Sequence, residues 1–182
     1  RDTVEGIRRL SELTVGVVGY GTIGRAVGER AEALGPRVVA SDPYLDPSDL
    51  KNDPAELVPF DEVLSRSHLV TVHSPLTPET RGLFGPDEFA RMRDDAVIVN
   101  VARGPIVDCD ALADALDMGE LAGAGLDVFP DEPPSADHPL RDHPRAVVTP
   151  HVAWYSDEAN EERRRKAASI VRAALEDEAI DN

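Results

Sequence analysis

The sequence predicts an α/β domain built on a doubly wound parallel sheet. Short runs of almost continuously apolar residues recur along the chain, and helical stretches lie between them. Strands covered on both faces are apolar throughout instead of alternating with polar residues, so these runs are typical of a parallel sheet. Repeated β-α alternation then predicts right-handed crossovers within one sheet. The 182 residues are enough for one such core.

The elements follow one another in a regular order. The predicted strands are Thr14–Val18, Arg37–Ala40, Leu69–His73, Ala96–Val101, Ala124–Val128 and Ala146–Thr149. The predicted helices between them are Thr22–Leu34, Pro54–Ser65, Pro86–Met92 and Asp110–Asp117. Pro86 suits a first helical turn, and Gly119 suits the end of a helix. Ser156 is a good N-cap for a last helix that reaches about Ile180, and the proline-rich residues 130–144 form a loop.

Composition and charge exclude several classes of function. The formal charge is −16 and the pI is about 4.6, which argues against direct binding to nucleic acid or to an anionic membrane. No apolar run reaches the roughly 18 to 20 residues that span a bilayer. The single Cys109 fits a reducing cytoplasm. The lysine-poor, acidic surface suits either a high-salt cell or a GC-rich genome, and the sequence leaves both open.

A glycine motif follows the first predicted strand. In "VVGYGTIGRA", Gly19 permits a tight turn, Gly21 lets the backbone approach a pyrophosphate, and Gly24 allows close packing of helix on strand. Asp42 ends the next strand, 18 residues beyond Gly24, near the spacing of about 20 for a carboxylate that binds a ribose 2′-hydroxyl. No arginine follows Asp42 directly, so the pattern indicates a Rossmann domain that binds NAD rather than NADP. S-adenosylmethionine is the competing ligand at this point.

Three further strand ends carry reactive side chains. Arg103 follows one apolar strand, Asp127 lies at the end of the next with Glu132 shortly after it, and His151 follows the last. The carboxyl ends of parallel strands line one crevice, so we expect Arg103, Glu132 and His151 to converge there. An arginine binds a carboxylate bidentately, and a histidine beside a carboxylate is a usable acid/base near neutral pH. An arginine and a histidine–carboxylate pair beside a nicotinamide are the groups needed to oxidise a 2-hydroxy acid by hydride transfer.

At this point the sequence resembles the D-isomer-specific 2-hydroxyacid dehydrogenases. The resemblance runs from about Ile7 to the C-terminus, through "GYGTIG", "SDPY", "HSPLTPETRGLF", "VNVARGPIVD", "GAGLDVFPDEP" and "TPHVAWYS". It implies that Arg103 holds the substrate carboxylate, that His151 is the proton donor and acceptor, and that Glu132 is its partner. The positions that it implies for NAD are Gly19, Tyr20, Gly21, Thr22, Ile23, Gly24, Asp42, Ser74, Pro75, Thr80, Val101, Ala102 and Asp127.

The motif "HVAWYS" is most similar to the C-terminal-binding-protein branch of the family, in which the tryptophan lines the substrate pocket. This similarity implies the same role for Trp154. One departure is Thr22, which replaces a basic residue of many members, with Arg25 as a substitute phosphate contact. The family also implies a homodimer and a separate substrate-binding lobe, of which this chain contains almost nothing. We therefore expect an NAD-binding domain over residues 1–152, and a helix over residues 153–182 that packs toward the missing lobe.

Two alternatives to this enzyme remain. One is an NAD-sensing, corepressor-like binding module with little or no catalysis. The other is formate oxidation, which Glu132 disfavours because the similar formate enzymes carry glutamine there. The other four histidines lack metal-ligand spacing, so no metal site is predicted, and Cys109 is interpreted as an inert small residue. Whether the chain is a piece of a longer protein, and which 2-hydroxy acid it takes, are not decided by the sequence.

Overall fold

A single parallel sheet forms the centre of the protein. The structure is a computed structural model that describes residues 7–51 and 53–176. The strands in these residues are β1 (Thr14–Val18), β2 (Arg37–Ser41), β3 (Ala55–Leu57), β4 (Leu69–Val72), β5 (Val97–Asn100), β6 (Gly123–Leu126) and β7 (Ala146–Val148). Their spatial order is β3-β2-β1-β4-β5-β6-β7, and every pairing is parallel. The predicted doubly wound sheet is confirmed.

The helices start and stop at residues suited to those positions. They are α1 (Thr22–Ala33), α2 (Phe60–Arg66), α3 (Pro86–Phe89), α4 (Cys109–Met118) and α5 (Asp157–Leu175). The Asp108 carboxylate caps α4 by accepting hydrogen bonds from the N–H groups of Asp110 and Ala111, and Gly119 ends it at a φ of 75°. Ser156 caps α5 as predicted. α5 ends at Leu175, with Glu176 as its C-cap, and the rest of its predicted extension to about Ile180 lies outside the described residues.

The core lies on both faces of the sheet. Val15 and Val17 of β1 belong to one buried cluster, whereas Val18 belongs to a larger cluster on the opposite face. Successive strand side chains point to opposite faces, so a strand buried in the middle of a sheet must be apolar throughout. The large cluster includes the buried rings of Phe84 and Phe89. These contacts explain why alternation of polar and apolar residues is absent from β1.

One predicted element is wrong. Pro54–Ser65 was predicted as one helix, but Ala55–Leu57 forms β3, and the helix starts only at Phe60. Alanine, glutamate and leucine favour helices intrinsically, yet pairing with the edge of β2 overrides this weak preference. Pro59 then separates the strand from α2. The predicted strands, and the other predicted helices up to α4, are confirmed, with ends that shift by at most three residues.

The chain divides into two compact units. The first ends at Pro150 and contains the whole sheet, and the second begins at His151 and contains α5. None of the described helices is long and apolar enough to cross a membrane. The functional boundary between residues 152 and 153 stays a prediction.

The sheet changes winding direction between β1 and β4. From β1 the chain moves outward through β2 to β3, then returns to place β4 on the other side of β1. The loops that leave β1 and β4 therefore diverge above and below the sheet and leave a crevice at their carboxyl ends. Gly19 follows β1, and Ser74 follows β4 after one residue. The predicted dinucleotide motif thus lies at the switch point.

Candidate active site

The glycine-rich turn has the backbone geometry that a dinucleotide requires. Gly19 has a φ of 85°, and a Cβ there would collide with the backbone of Ser74. A Cβ at Gly24 would collide with the carbonyl oxygen of Gly19, so α1 packs closely on the turn. At Gly21, in contrast, a Cβ would have no neighbour within 4 Å. The turn is therefore packed at Gly19 and Gly24 and open at Gly21, where a phosphate can approach the backbone.

The first turn of α1 provides the donors for that phosphate. Gly21 is the N-cap and has no side chain that could make a capping hydrogen bond. The first backbone hydrogen bond of the helix runs from the Arg25 N–H to the Gly21 carbonyl at 2.9 Å. The N–H groups at the start of a helix lack partners within it, and the helix dipole makes this end attractive to anions. Thr22 and Ile23 are exposed at this end of the helix. The residues present fit a pyrophosphate.

Asp42 is held in place by two backbone donors. Its Oδ2 accepts from the Tyr20 N–H at 2.9 Å, and its Oδ1 accepts from the Tyr44 N–H at 3.0 Å. The carboxylate lies on the wall of a cavity of about 570 Å³ at the carboxyl end of β1 and β2. The other lining residues are Val18, Ser41, Pro43, Leu57, Val58, Pro59, Phe60, Ser74, Glu79, Thr80 and Leu83.

This cavity suits the adenosine half of NAD. Its apolar residues offer surface to an adenine ring, and a carboxylate on its wall is the kind of group that can accept hydrogen bonds from ribose hydroxyls. Neither lysine nor arginine lines the cavity within the described part of the chain, while Asp42 and Glu79 both carry negative charge. A 2′-phosphate would meet two carboxylates without a compensating cation, so the cavity favours NAD over NADP.

Tyr20 and Arg25 lie differently from what sequence reasoning suggested. The side chain of Tyr20 is fully buried beneath α1, and its Oη donates to Asp53 Oδ1 at 2.5 Å. Only the backbone of Tyr20 belongs to the turn that faces the cofactor. Arg25 makes an ion pair with Asp53 Oδ2 at 2.8 Å. Its guanidinium is thus engaged by a carboxylate that the sequence did not single out.

The loop after β4 is fixed by its own hydroxyl groups. Ser74 is buried beside Gly19, and Pro75 follows it at the surface. Thr80 Oγ1 donates to the Pro75 carbonyl at 2.6 Å and accepts from the Thr77 N–H at 2.8 Å. These bonds fold the segment "SPLTPET" into a compact turn beside the adenosine cavity, which Ser74 and Thr80 both line.

Arg103 follows β5 on a loop that a buried asparagine holds. Asn100 is fully buried, and its amide donates to the Arg103 carbonyl at 2.9 Å while its Oδ1 accepts from the Ala102 N–H at 3.0 Å. Val101 and Ala102 lie between these bonds, half-buried and buried respectively. The Arg103 side chain is exposed, and its Nη1 donates to the Ala102 carbonyl at 2.6 Å. Asn100 was not among the residues predicted from the sequence. It is the polar residue that ends the apolar run "VIVN", and its position at a strand end could have indicated a role in holding the following loop.

The loops after β5 and β6 are in direct backbone contact. A Cβ at Gly104 would collide with the carbonyl group of Phe129, so the Arg103 loop and the Glu132 loop touch at this glycine. Glu132 is exposed, and its Oε1 accepts from the Phe129 N–H at 3.1 Å. Asp127 is 5% exposed and accepts a bond from Thr149 Oγ1 at 2.5 Å. The structure thus brings together the ends of β5, β6 and β7.

His151 and Trp154 belong to the second unit. His151 has a φ of 54°, and its carbonyl accepts a hydrogen bond from Trp154 Nε1 at 2.9 Å. Positive φ is uncommon outside glycine and marks a backbone that its surroundings must hold. The Trp154 ring packs edge-on against Tyr155, and the guanidinium of Arg163 lies 4.9 Å from its centroid. Both His151 and Trp154 are exposed.

Two other reactive side chains among the described residues, Cys109 and His73, lie in surroundings that reduce their reactivity. Burial raises the pKa of the Cys109 thiol to about 11, so it is a thiol at neutral pH, in agreement with the interpretation of an inert residue. Burial lowers the pKa of His73, whose Nε2 shares a hydrogen bond with Thr71 Oγ1 at 2.9 Å. Within the described ranges, no cluster of three potential metal ligands exists.

Comparison with known proteins identifies the relatives of this chain. Residues 1–153 match the family described as D-isomer specific 2-hydroxyacid dehydrogenase, NAD binding domain. The chain belongs to this family. The resemblance read from the motifs is therefore confirmed, and NAD is the cofactor of the domain. The solved relatives include a D-lactate dehydrogenase of Aquifex aeolicus complexed with NAD and lactic acid. Its TM-score against this chain is 0.86 and its sequence identity is 32%, and the match covers 97% of this chain and 57% of the relative.

The curated 2-hydroxyacid dehydrogenase relatives are longer proteins. The chain is 44% identical over 146 residues to a D-3-phosphoglycerate dehydrogenase of Archaeoglobus fulgidus. The matched region covers 80% of this chain and 28% of that relative. The chain is also 39% identical over 148 residues to a glycerate dehydrogenase of Methylorubrum extorquens. This match covers 80% of this chain and 45% of the relative. The chain spans less than half the length of either relative. These relatives favour a dehydrogenase over a corepressor-like module, and placement in the C-terminal-binding-protein branch stays a prediction.

Proposed function

We propose that this chain is the cofactor-binding part of an NAD-dependent dehydrogenase that interconverts a 2-keto acid and a D-2-hydroxy acid. The observation that carries the proposal is the exposed Arg103, held by Asn100 at the carboxyl end of β5 in a sheet whose switch point fits NAD. A fixed cation at a strand end beside a dinucleotide site is suited to a small anionic substrate.

We assign cofactor binding to four regions of the first unit. The glycine turn and the start of α1 hold the pyrophosphate, through Gly19, Tyr20, Gly21, Thr22, Ile23 and Gly24. Asp42 binds the adenosine ribose, and Ser74, Pro75 and Thr80 border the same half of the cofactor. Val101, Ala102 and Asp127, at the ends of β5 and β6, contact the nicotinamide half. Bound NADH supplies the hydride that reduces the substrate carbonyl.

Three side chains perform the remaining chemistry in this proposal. Arg103 binds the substrate carboxylate with charge-assisted hydrogen bonds and so fixes the orientation of the carbonyl. His151 donates a proton to the carbonyl oxygen during reduction and takes it back during oxidation. Glu132 orients the imidazole and favours its protonated form. The assignment of His151 and Glu132 rests on the family motifs.

The substrate and the assembly are proposed more broadly. Trp154 forms a wall of the substrate pocket, and the substrate is a small 2-keto acid. We also propose a homodimer, by membership of the family, and a reducing cytoplasmic location, from the single Cys109. Size-exclusion chromatography with light scattering tests the dimer.

The experiment uses the complete natural protein that contains this chain. NADH oxidation is followed at 340 nm with glyoxylate, hydroxypyruvate, pyruvate and phenylpyruvate, and the same panel is repeated with NADPH. We expect turnover with at least one keto acid and a preference for NADH. Tight NADH binding without turnover on any member of the panel would contradict the proposed activity.

A further inference from the structure

A partly buried network ties the glycine-rich turn to the segment that enters β3. It consists of Tyr20, Arg25 and Asp53. Tyr20 Oη donates to Asp53 Oδ1 at 2.5 Å, and Arg25 donates to Asp53 Oδ2 at 2.8 Å. The Ala55 N–H also donates to Asp53 Oδ1, at 3.1 Å. Together these contacts connect three pieces of chain: the glycine turn, α1 and the start of β3.

The packing around the tyrosine ring is close on both sides. Tyr20 is fully buried, and a Cβ at Gly28 would lie 2.6 Å from its hydroxyl oxygen, so the ring fits into a notch that this glycine leaves in α1. The Arg25 guanidinium lies 5.3 Å from the ring centroid. Burial and the Asp53 hydrogen bond raise the pKa of Tyr20, so the phenol keeps its proton and remains a donor.

Tyr20 also reaches the cofactor site through its backbone. Its N–H donates to Asp42 Oδ2 at 2.9 Å, and Asp42 is the carboxylate on the wall of the adenosine cavity. The residues on either side of Tyr20 are Gly19 and Gly21, which have no side chain that could anchor the turn. Glycines permit many backbone conformations, so a turn made of them must lose conformational freedom before it fits a ligand. The one anchored side chain in this turn is Tyr20.

We propose that Asp53 is a positioning residue for the dinucleotide, acting through Tyr20 to hold the glycine turn and Asp42 in their NAD-binding geometry. This inference rests on the proposed function and names a residue that the cofactor motifs do not contain. Preorganisation of this kind strengthens binding because less ordering remains to be done when the ligand arrives. The 31% exposed side chain of Arg25 is held by Asp53 and so closes the network instead of contacting phosphate.

The test measures cofactor affinity on the complete natural protein that contains this chain. NADH binding is titrated by nucleotide fluorescence, and ADP-ribose binding by calorimetry, for the wild type, Tyr20→Phe, Asp53→Asn and the double variant. We expect each single variant to weaken both ligands by about three- to tenfold, because a turn that has lost part of its anchor must be ordered when the ligand binds. The double variant should bind about as weakly as the weaker single variant, because both changes break the same connection.

Matched controls separate this role from general destabilisation. Tyr155→Phe removes a phenol that donates to Asp157 in the second unit, and Asp114→Asn neutralises an exposed carboxylate on α4. Both should bind NADH like the wild type. The thermal unfolding midpoint of every variant is recorded, and affinities are measured well below the lowest midpoint. If Tyr20→Phe does not fold, Asp53→Asn, which keeps the shape of the side chain, carries the test.

Each outcome decides between distinct explanations. Weaker binding of NADH and ADP-ribose in the network variants supports the proposal. A lower unfolding midpoint with unchanged affinities would show a purely structural role and overturn it. Tighter binding in Asp53→Asn would overturn it as well, because Asp53 would then be restraining Arg25 from a phosphate. Failure of the wild type to bind NADH would instead refute the proposed function.

Discussion

Asn100 holds the backbone of Arg103 in place from inside the sheet, with its amide 2.9 Å from the Arg103 carbonyl. The other end of the same side chain accepts from the Ala102 N–H at 3.0 Å. A fully buried asparagine thus fixes the loop that presents the exposed arginine. The backbone that carries the guanidinium is therefore already ordered, so less ordering remains when Arg103 binds a carboxylate, and the relationship leads directly to two predictions.

Arg103→Ala should impair catalysis without affecting the cofactor. The variant loses charge-assisted hydrogen bonds worth about 1.5 to 3 kcal/mol, so kcat/KM for the keto acid should fall by about ten- to a hundredfold. The Kd for NADH should stay within about twofold of the wild type, because Arg103 does not line the adenosine cavity. Steady-state kinetics and NADH titration measure the two quantities. A parallel loss of NADH affinity would show that the role given to Arg103 is wrong.

Asn100→Ala should act through Arg103. Removing the amide leaves the Ala102 N–H and the Arg103 carbonyl without their partners, which costs about 1 to 3 kcal/mol of folding free energy, and the loop loses its fixed geometry. We expect kcat/KM to fall in the wild-type background and to change little further in an Arg103→Ala background. Equal effects of Asn100→Ala in both backgrounds would mean that it does not position Arg103.

Asp42→Ala should weaken NADH and reduce discrimination against NADPH. The carboxylate accepts two backbone N–H groups on the wall of a cavity without cations, so its removal deletes a ribose acceptor and a repulsive charge together. The Kd for NADH should rise by about tenfold, and the ratio of NADH to NADPH affinity should fall. Titration of both nucleotides measures this ratio, and an unchanged ratio would contradict the assigned position of the ribose.

Two glycine substitutions should separate stability from binding. Gly104→Ala places a methyl group against the carbonyl of Phe129 and should destabilise the fold by about 1 to 3 kcal/mol. Gly21→Ala has open space and a φ of −79°, so its stability should stay close to that of the wild type. The same methyl group would occupy the approach to the pyrophosphate and should weaken NADH by at least about tenfold. Urea unfolding and NADH titration should therefore give opposite patterns for the two variants.

Stability should decrease as the pH falls below about 6.5. His68 Nδ1 accepts from the Thr14 N–H at 3.0 Å, and burial, with smaller effects of Arg93 and Arg8, lowers the pKa of His68 from 6.5. A lowered pKa means that the folded state binds fewer protons than the unfolded state, so this contribution is complete above pH 6.5 and is lost as the pH falls toward the folded-state pKa. Burial also lowers the pKa of His73, so its contribution to stability is lost in the same direction of pH change.

Urea unfolding at pH 7.5 and pH 5.5 measures this effect. His68→Asn keeps an acceptor near the position of Nδ1 but does not titrate, so its stability should depend less on pH than that of the wild type. The same pH dependence in both proteins would exclude His68 as a source of it.

The sequence predicted those features that depend on local pattern. The continuous apolar runs were sufficient to predict six strands, and the glycine spacing predicted the turn at the start of α1, because burial on both faces and phosphate binding each impose a local requirement. The strand order, and with it the switch point between β1 and β4, became visible only in the structure. β3 was missed because three helix-favouring residues became a strand only by pairing with β2. Asn100 and Asp53 were missed for a different reason: their importance lies in which atoms they contact, and Asp53 is 33 residues from Tyr20.

The proposed activity is the transfer of a hydride from NADH to a 2-keto acid, which forms the D-isomer of the 2-hydroxy acid. The most direct test incubates the complete natural protein with NADH that carries deuterium at both C4 positions and with the keto acid that it turns over fastest, glyoxylate excepted because its product has no D-isomer. Mass spectrometry then locates the label in the product, and chiral chromatography identifies its isomer. We predict a D-2-hydroxy acid with deuterium on C2. An L-2-hydroxy acid, or a product without deuterium at C2, would contradict the account.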